Sequence, residues 1–75
     1  MTRLPMLNAR KVIQALKRAG FEETKQHRSS HLYMANSATN LETCVPMHSG
    51  DLGRDLVRAI IHQAGLTEDE FRALL

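Results

Sequence analysis

Nine consecutive residues, Lys25-Gln26-His27-Arg28-Ser29-Ser30-His31-Leu32-Tyr33, gather two histidines, two cations, two hydroxyls and a phenol. Imidazole is the side chain best suited to proton transfer near neutral pH. RNA carries its own nucleophile, the 2′-OH. Cleaving it without a metal requires a base for that hydroxyl, an acid for the leaving oxygen, and cations for the charge on the phosphorane. His31, with Lys25 and Arg28 near it in sequence, supplies these types. Ser29 and Ser30 add hydrogen bonds to phosphate, and Tyr33 falls on the same strand face as His31. On composition alone, an ordinary sheet-surface histidine is the commoner reading of His31.

The other histidines divide by position. A spacing of four would bring His27 and His31 together on a helix. On an extended strand their Cα atoms lie about 13 Å apart, too far to chelate one ion unless a tight turn intervenes. No metal is therefore expected. His62 lies off the apolar stripe of a helix and reads as a surface residue. His48 follows Pro46 in a loop, where it either approaches the site or caps the next helix. The chain has no glycine-rich phosphate loop, no cysteine pair and no Gly-x-Ser-x-Gly turn. Most carboxylates sit near helix starts, where capping and the helix dipole account for them.

The elements around this segment follow from periodicity. Pro5 argues against helix in the lead-in. Asn8 is an N-cap for a helix over 9–19, with Ala9, Val12, Ile13, Leu16 and Ala19 as one apolar stripe. Gly20 suits the left-handed position after it. Residues 21–27 are too polar for a buried strand and suit an edge. Arg28-Ser29-Ser30 has turn character. Residues 30–35 form a second strand, with His31, Tyr33 and Ala35 on one face and Ser30, Leu32 and Met34 on the other. Asn36 to Asn40 reads as a turn. Residues 41–45 form a third strand, with Leu41, Thr43 and Val45 on one face, ending at Pro46. A loop over 47–53 leads to a helix over 54–64 with the stripe Leu56, Val57, Ile60, Ile61 and Ala64, closed by Gly65. Thr67 and Glu70 form a capping box for a short last helix bearing Phe71, Leu74 and Leu75. The expected fold is α+β: an α-β-β-β-α two-layer sandwich with a short C-terminal helix, both long helices on one face of a three-stranded meander and the other face free.

Composition bounds the partners. The 75 residues make one domain, over 1–75, and a chain this small buries only about 60% of its unfolded surface. Aromatic residues are limited to Phe21, Tyr33 and Phe71, so the core is aliphatic. The net charge of +2 is modest, but Arg3 to Arg18 holds five cations and no acid, whereas Thr67 to Leu75 holds three acids and one arginine. That asymmetry favours an anionic partner for the first half, against the plainer reading of a solvated basic helix face. A single cysteine, Cys44, fits a reducing cytosol. No apolar run approaches a membrane span and no signal-peptide core is present, so a soluble cytoplasmic protein is expected.

Four motifs in order carry a resemblance: the stretch Lys11 to Phe21; Ser29-Ser30-His31; Val45-Pro46-Met47-His48; and Leu56 to Leu66 followed by Glu70-Phe71. Together they make the chain similar to the HicA/YcfA family of bacterial toxin–antitoxin systems, over nearly its whole length. The second motif falls where that family has Gly-Ser-His, and the third resembles its Val-Pro-x-His. The resemblance implies a double-stranded-RNA-binding-domain-like fold and metal-independent mRNA cleavage. It also implies a catalytic role for His31, no cofactor, and inhibition by a HicB-type antitoxin covering the site. Substrate contacts are expected from Lys25, Arg28, Ser29, Ser30, Tyr33 and His48. Three positions depart from the pattern. Ser29 replaces the usual glycine, Leu32 replaces a common second histidine, and Met34-Ala35 replaces basic residues, so the site is less cationic than usual. The alternatives are a non-catalytic RNA-binding module of the same fold and an interaction protein without RNA contact.

Overall fold

The computed structural model describes residues 4–28, 30–47 and 50–75, with side chains left out at 25–28. Its elements in order are β1 (Leu7–Asn8), α1 (Ala9–Arg18), β2 (Glu22–Arg28), β3 (His31–Asn36), β4 (Leu41–Pro46), β5 (Asp51–Leu52), α2 (Arg54–Gln63) and α3 (Glu68–Ala73). The arrangement is the expected α+β one, with an antiparallel sheet ordered β2-β3-β4 between the two long helices in sequence.

Local chemistry sets the helix ends. The Asn8 side chain accepts from the Lys11 backbone N–H at 2.9 Å, satisfying one of the free donors of the first turn of α1. After the cap residue Ala19, Gly20 takes φ of 102°, a conformation that a side chain resists. At α3 the Thr67 hydroxyl accepts from the Glu70 N–H at 3.1 Å and the Glu70 carboxylate accepts from the Thr67 N–H at 2.8 Å. Gly53 stands at the N-cap of α2 and makes no side-chain hydrogen bond there.

The core lies between the helices and one sheet face. Val12, Ile13, Ala15 and Leu16 of α1 meet Leu32 and Met34 of β3, Val45 of β4, Val57, Ile60 and Ile61 of α2, and Phe71 of α3. Alternation along β3 is clean: Leu32, Met34 and Asn36 are buried, while His31 is exposed and Tyr33 and Ala35 are half-buried. The side of the sheet bearing His31 is therefore opposite the helices.

Several expectations change in detail. The lead-in and the loop over 47–53 are not irregular throughout, since Leu7 pairs with Leu52 and Asn8 with Asp51 in a two-residue antiparallel ribbon. The cause is burial: Leu4, Leu7 and Leu52 all enter the core, and Arg54 Nε donates to the Leu4 carbonyl at 2.7 Å. Asn36 belongs to β3 rather than to the turn. Its amide donates to the Ala19 carbonyl at 3.3 Å and accepts from the Ala38 N–H at 3.0 Å, which joins the strand end to the C-terminus of α1. Leu56 and Leu75 are exposed, not core. The buried stripe of α2 is Val57, Ile60, Ile61 and Ala64, and Leu56 sits one position before that stripe begins. Leu41 is also largely exposed, its side chain lying against Gly65 where a Cβ would collide with it.

Candidate functional site

β3 is the central strand, so both its edges are occupied, and its first residue is His31. Arg28 stands opposite His31 on β2, and Pro46 stands opposite it on β4. β2 and β3 thus pair as an antiparallel hairpin with Arg28 opposite His31. The extended-strand separation of the two histidines therefore does not apply, and the hairpin is the alternative that the turn character of 28–30 leaves open. Register still sets them in different rows: His27 pairs with Leu32, a buried position, while His31 pairs with Arg28. Directly opposed residues share a row and successive rows alternate in face, so the two histidine positions fall in rows of opposite parity.

The strand beneath His31 is held firmly. Leu32 and Met34, at 7% and 0% exposure, pin it to the helices, and Leu32 lies between His31 and Tyr33 in sequence. Past the His31–Pro46 pair the ladder continues through the Met47 N–H, which donates to the Ser30 carbonyl. Pro46 has no N–H to give, so Met47 supplies the bond that ties the hairpin tip to the end of β4. This is why Ser30-His31 and Pro46-Met47 meet in space. Sequence reading placed both in one family pattern without seeing that they are neighbours; the meander topology carries that information.

Tyr33 stands opposite Cys44, one face-sharing position along from His31, about 6.6 Å by strand rise. Tyr33, Glu42, Thr43, Cys44 and Gln63 line an open hollow of about 460 Å³ at the β4 edge. Ser30 is exposed in the turn. Lys25 and Arg28 lie in β2, and the ladder between β2 and β3 changes register between Glu23 and His27, so Lys25 sits within an irregular stretch. Ser29 and His48, both expected at the site, lie outside the described residues.

Among the described residues the His31 side chain has no hydrogen-bond partner, and the residue is exposed. An unpartnered imidazole on a fixed strand is available to a ligand from above the sheet. The basic helix is arranged differently. The side chains of α1 face the opposite layer; there Lys17 pairs with Glu23 at 2.9 Å and Arg18 donates to the Leu74 carbonyl at 2.5 Å. Two of its cations are thereby engaged in the fold, and all four, Arg10 and Lys11 included, are exposed.

A two-layer α+β domain with its helices on one sheet face, and a histidine heading the central strand on the other, belongs to the class of small domains that keep a sheet face open. The family model described as "HicA toxin of bacterial toxin-antitoxin" matches residues 9–66, from the start of α1 to just beyond α2, and the chain belongs to that family. Its role is accordingly that of a toxin in a toxin–antitoxin system, and membership implies an antitoxin partner. Comparison with curated proteins gives no match. No helix among the described residues is long and apolar enough to cross a membrane.

Proposed function

We propose that this toxin is a cytoplasmic mRNA endonuclease that works without a metal, with His31 as general acid and base, and that a HicB-type antitoxin neutralises it by covering the His31 face. The observation that carries the reading is the exposed, unpartnered His31 imidazole at the head of the central strand, on the sheet face that the helices leave open.

In this reading neutral His31 takes the proton of a 2′-OH. That oxygen attacks the adjacent phosphorus, and the bond from phosphorus to the 5′-oxygen breaks. The imidazolium returns a proton to the departing 5′-oxygen, leaving a 2′,3′-cyclic phosphate and a 5′-hydroxyl. Lys25 and Arg28 offset the charge of the phosphorane, and Ser29 and Ser30 hydrogen-bond its oxygens. Tyr33 offers a flat surface to a base next to the scissile phosphate. His48 is the second imidazole that the motif Val45-Pro46-Met47-His48 would bring toward this end of the sheet.

One observation favours the non-catalytic alternative. Among the described residues no carboxylate or second imidazole orients His31, and Leu32, where the family commonly has a further histidine, is buried. Incubating the purified protein with mRNA in EDTA separates the readings. Cleavage by the wild type, lost in a folded His31→Ala variant, is the expected result. Unchanged cleavage by that variant would overturn the assignment, and binding without any cleavage by the wild type would favour the binding module.

A further inference from the structure

The open face of the sheet is not uniform along its strands. Its first row is Arg28–His31–Pro46, its second holds Tyr33 opposite Cys44, and its third is Glu22–Ala35–Glu42. One end is thus imidazole and arginine positions, and the other is a pair of exposed carboxylates flanking a small residue. Glu22 and Glu42 line a shallow hollow of about 430 Å³ together with Glu23, Ala35 and Asn36. Among the described residues neither Glu22 nor Glu42 is in an ion pair, while Glu23 is held by Lys17. Ala35 lies four positions after His31, about 13 Å along the strand. That exceeds the Debye length of about 10 Å at 0.1 M salt, so the carboxylates act weakly on a phosphate at His31 and strongly on one bound beside them.

We infer that Glu22 and Glu42 form an electrostatic boundary on the open sheet face, so that bound RNA crosses the strands at the His31 end and does not run along them toward Ala35. This deepens the ribonuclease reading and rests on it for the identity of the ligand. The physical reason is that a polyanion laid along β3 would place a phosphate between two carboxylates in the third row. Lys17 of α1 is engaged with Glu23, in the helix-side row of β2, and makes no ion pair with Glu22 or Glu42. The boundary limits how many nucleotides the face engages and fixes the side on which they extend.

The test uses fluorescein-labelled oligouridylates of about 4 to 16 nucleotides, a span typical of single-strand sites. Affinity is measured against length for the wild type, for the Glu22→Gln, Glu42→Gln double variant, and for the Glu22→Lys, Glu42→Lys double variant, each checked by thermal unfolding. The wild-type affinity is expected to stop rising at a short length. The lysine variant should keep gaining with length, ending about tenfold tighter on the longest strand. Its salt slope should steepen by about 1.4, the value for two added phosphate contacts on a single strand. The glutamine variant should fall between, and all three should bind the shortest strand alike. Identical length profiles in the three proteins overturn the boundary. The same proteins are tested for mRNA cleavage: length profiles that differ as expected with no wild-type cleavage overturn the nuclease reading alone, and absence of RNA binding overturns both.

Discussion

The two sides of β3 show how one strand serves two purposes. Leu32, Met34 and Asn36 face the helices and are buried, and His31, Tyr33 and Ala35 face away from them. Leu32 and Met34 belong to the hydrophobic core and Asn36 bonds the end of α1, so a change there costs stability. The outward set is exposed or half-buried and stands outside the core, so a change there costs whatever the face does. A position one residue along the strand exchanges one kind of cost for the other, because alternate side chains leave opposite faces.

This contrast can be broken by experiment. The largest effect is expected at His31, where Ala should lower the rate of RNA cleavage by about 10²–10⁴, the usual scale of general acid–base catalysis, with the melting temperature unmoved. A melting temperature that falls with activity would show that His31 belongs to the fold instead. Met34→Ala should cost about 2–5 kcal/mol in denaturant unfolding, as expected for a large buried side chain. The whole domain is stabilised by only on the order of 4–11 kcal/mol at the usual value per residue, so this one change threatens folding. Asn36→Ala removes the amide that joins β3 to the end of α1 and should cost about 1–3 kcal/mol, because the Ala19 carbonyl loses its side-chain donor. Tyr33→Ala should weaken RNA binding by about 1–3 kcal/mol in titration while leaving unfolding unchanged, and Tyr33→Phe should retain binding if the ring face is what matters. The smallest expected change is Thr67→Ala, about 1 kcal/mol of stability from the lost cap, with cleavage intact.

Much of this division was legible in the residues. The stripes Val12-Ile13-Leu16 and Val57-Ile60-Ile61 announce helices with one buried side, and alternation over residues 31–35 announces which strand positions face out. Asn8, Gly20, Thr67 and Glu70 mark helix ends by local hydrogen bonding and backbone freedom, which need no distant partner. The ribbon between Leu7–Asn8 and Asp51–Leu52 was not legible. Each of its strands is two residues long, too short for any period, and it exists because Leu7 and Leu52 meet in the core. Asn36 was hidden for a similar reason: its composition suits a turn, and only the nearness of the α1 terminus gives its amide a carbonyl to bond.

The sequence by itself determined the order of elements, the buried stripes, and the outward placement of His31, since these depend on spacing within a few residues. Its motifs also pointed to the family that the match over residues 9–66 establishes. Tertiary structure decided what lies beside what. The register pairs His31 with Arg28 and Pro46, ties Ser30 to Met47, and gathers Glu22 and Glu42 at the far end of the same face. The reason is that register is a relation between strands distant in the chain, set by the packing of Leu32, Met34 and Val45 against the helices.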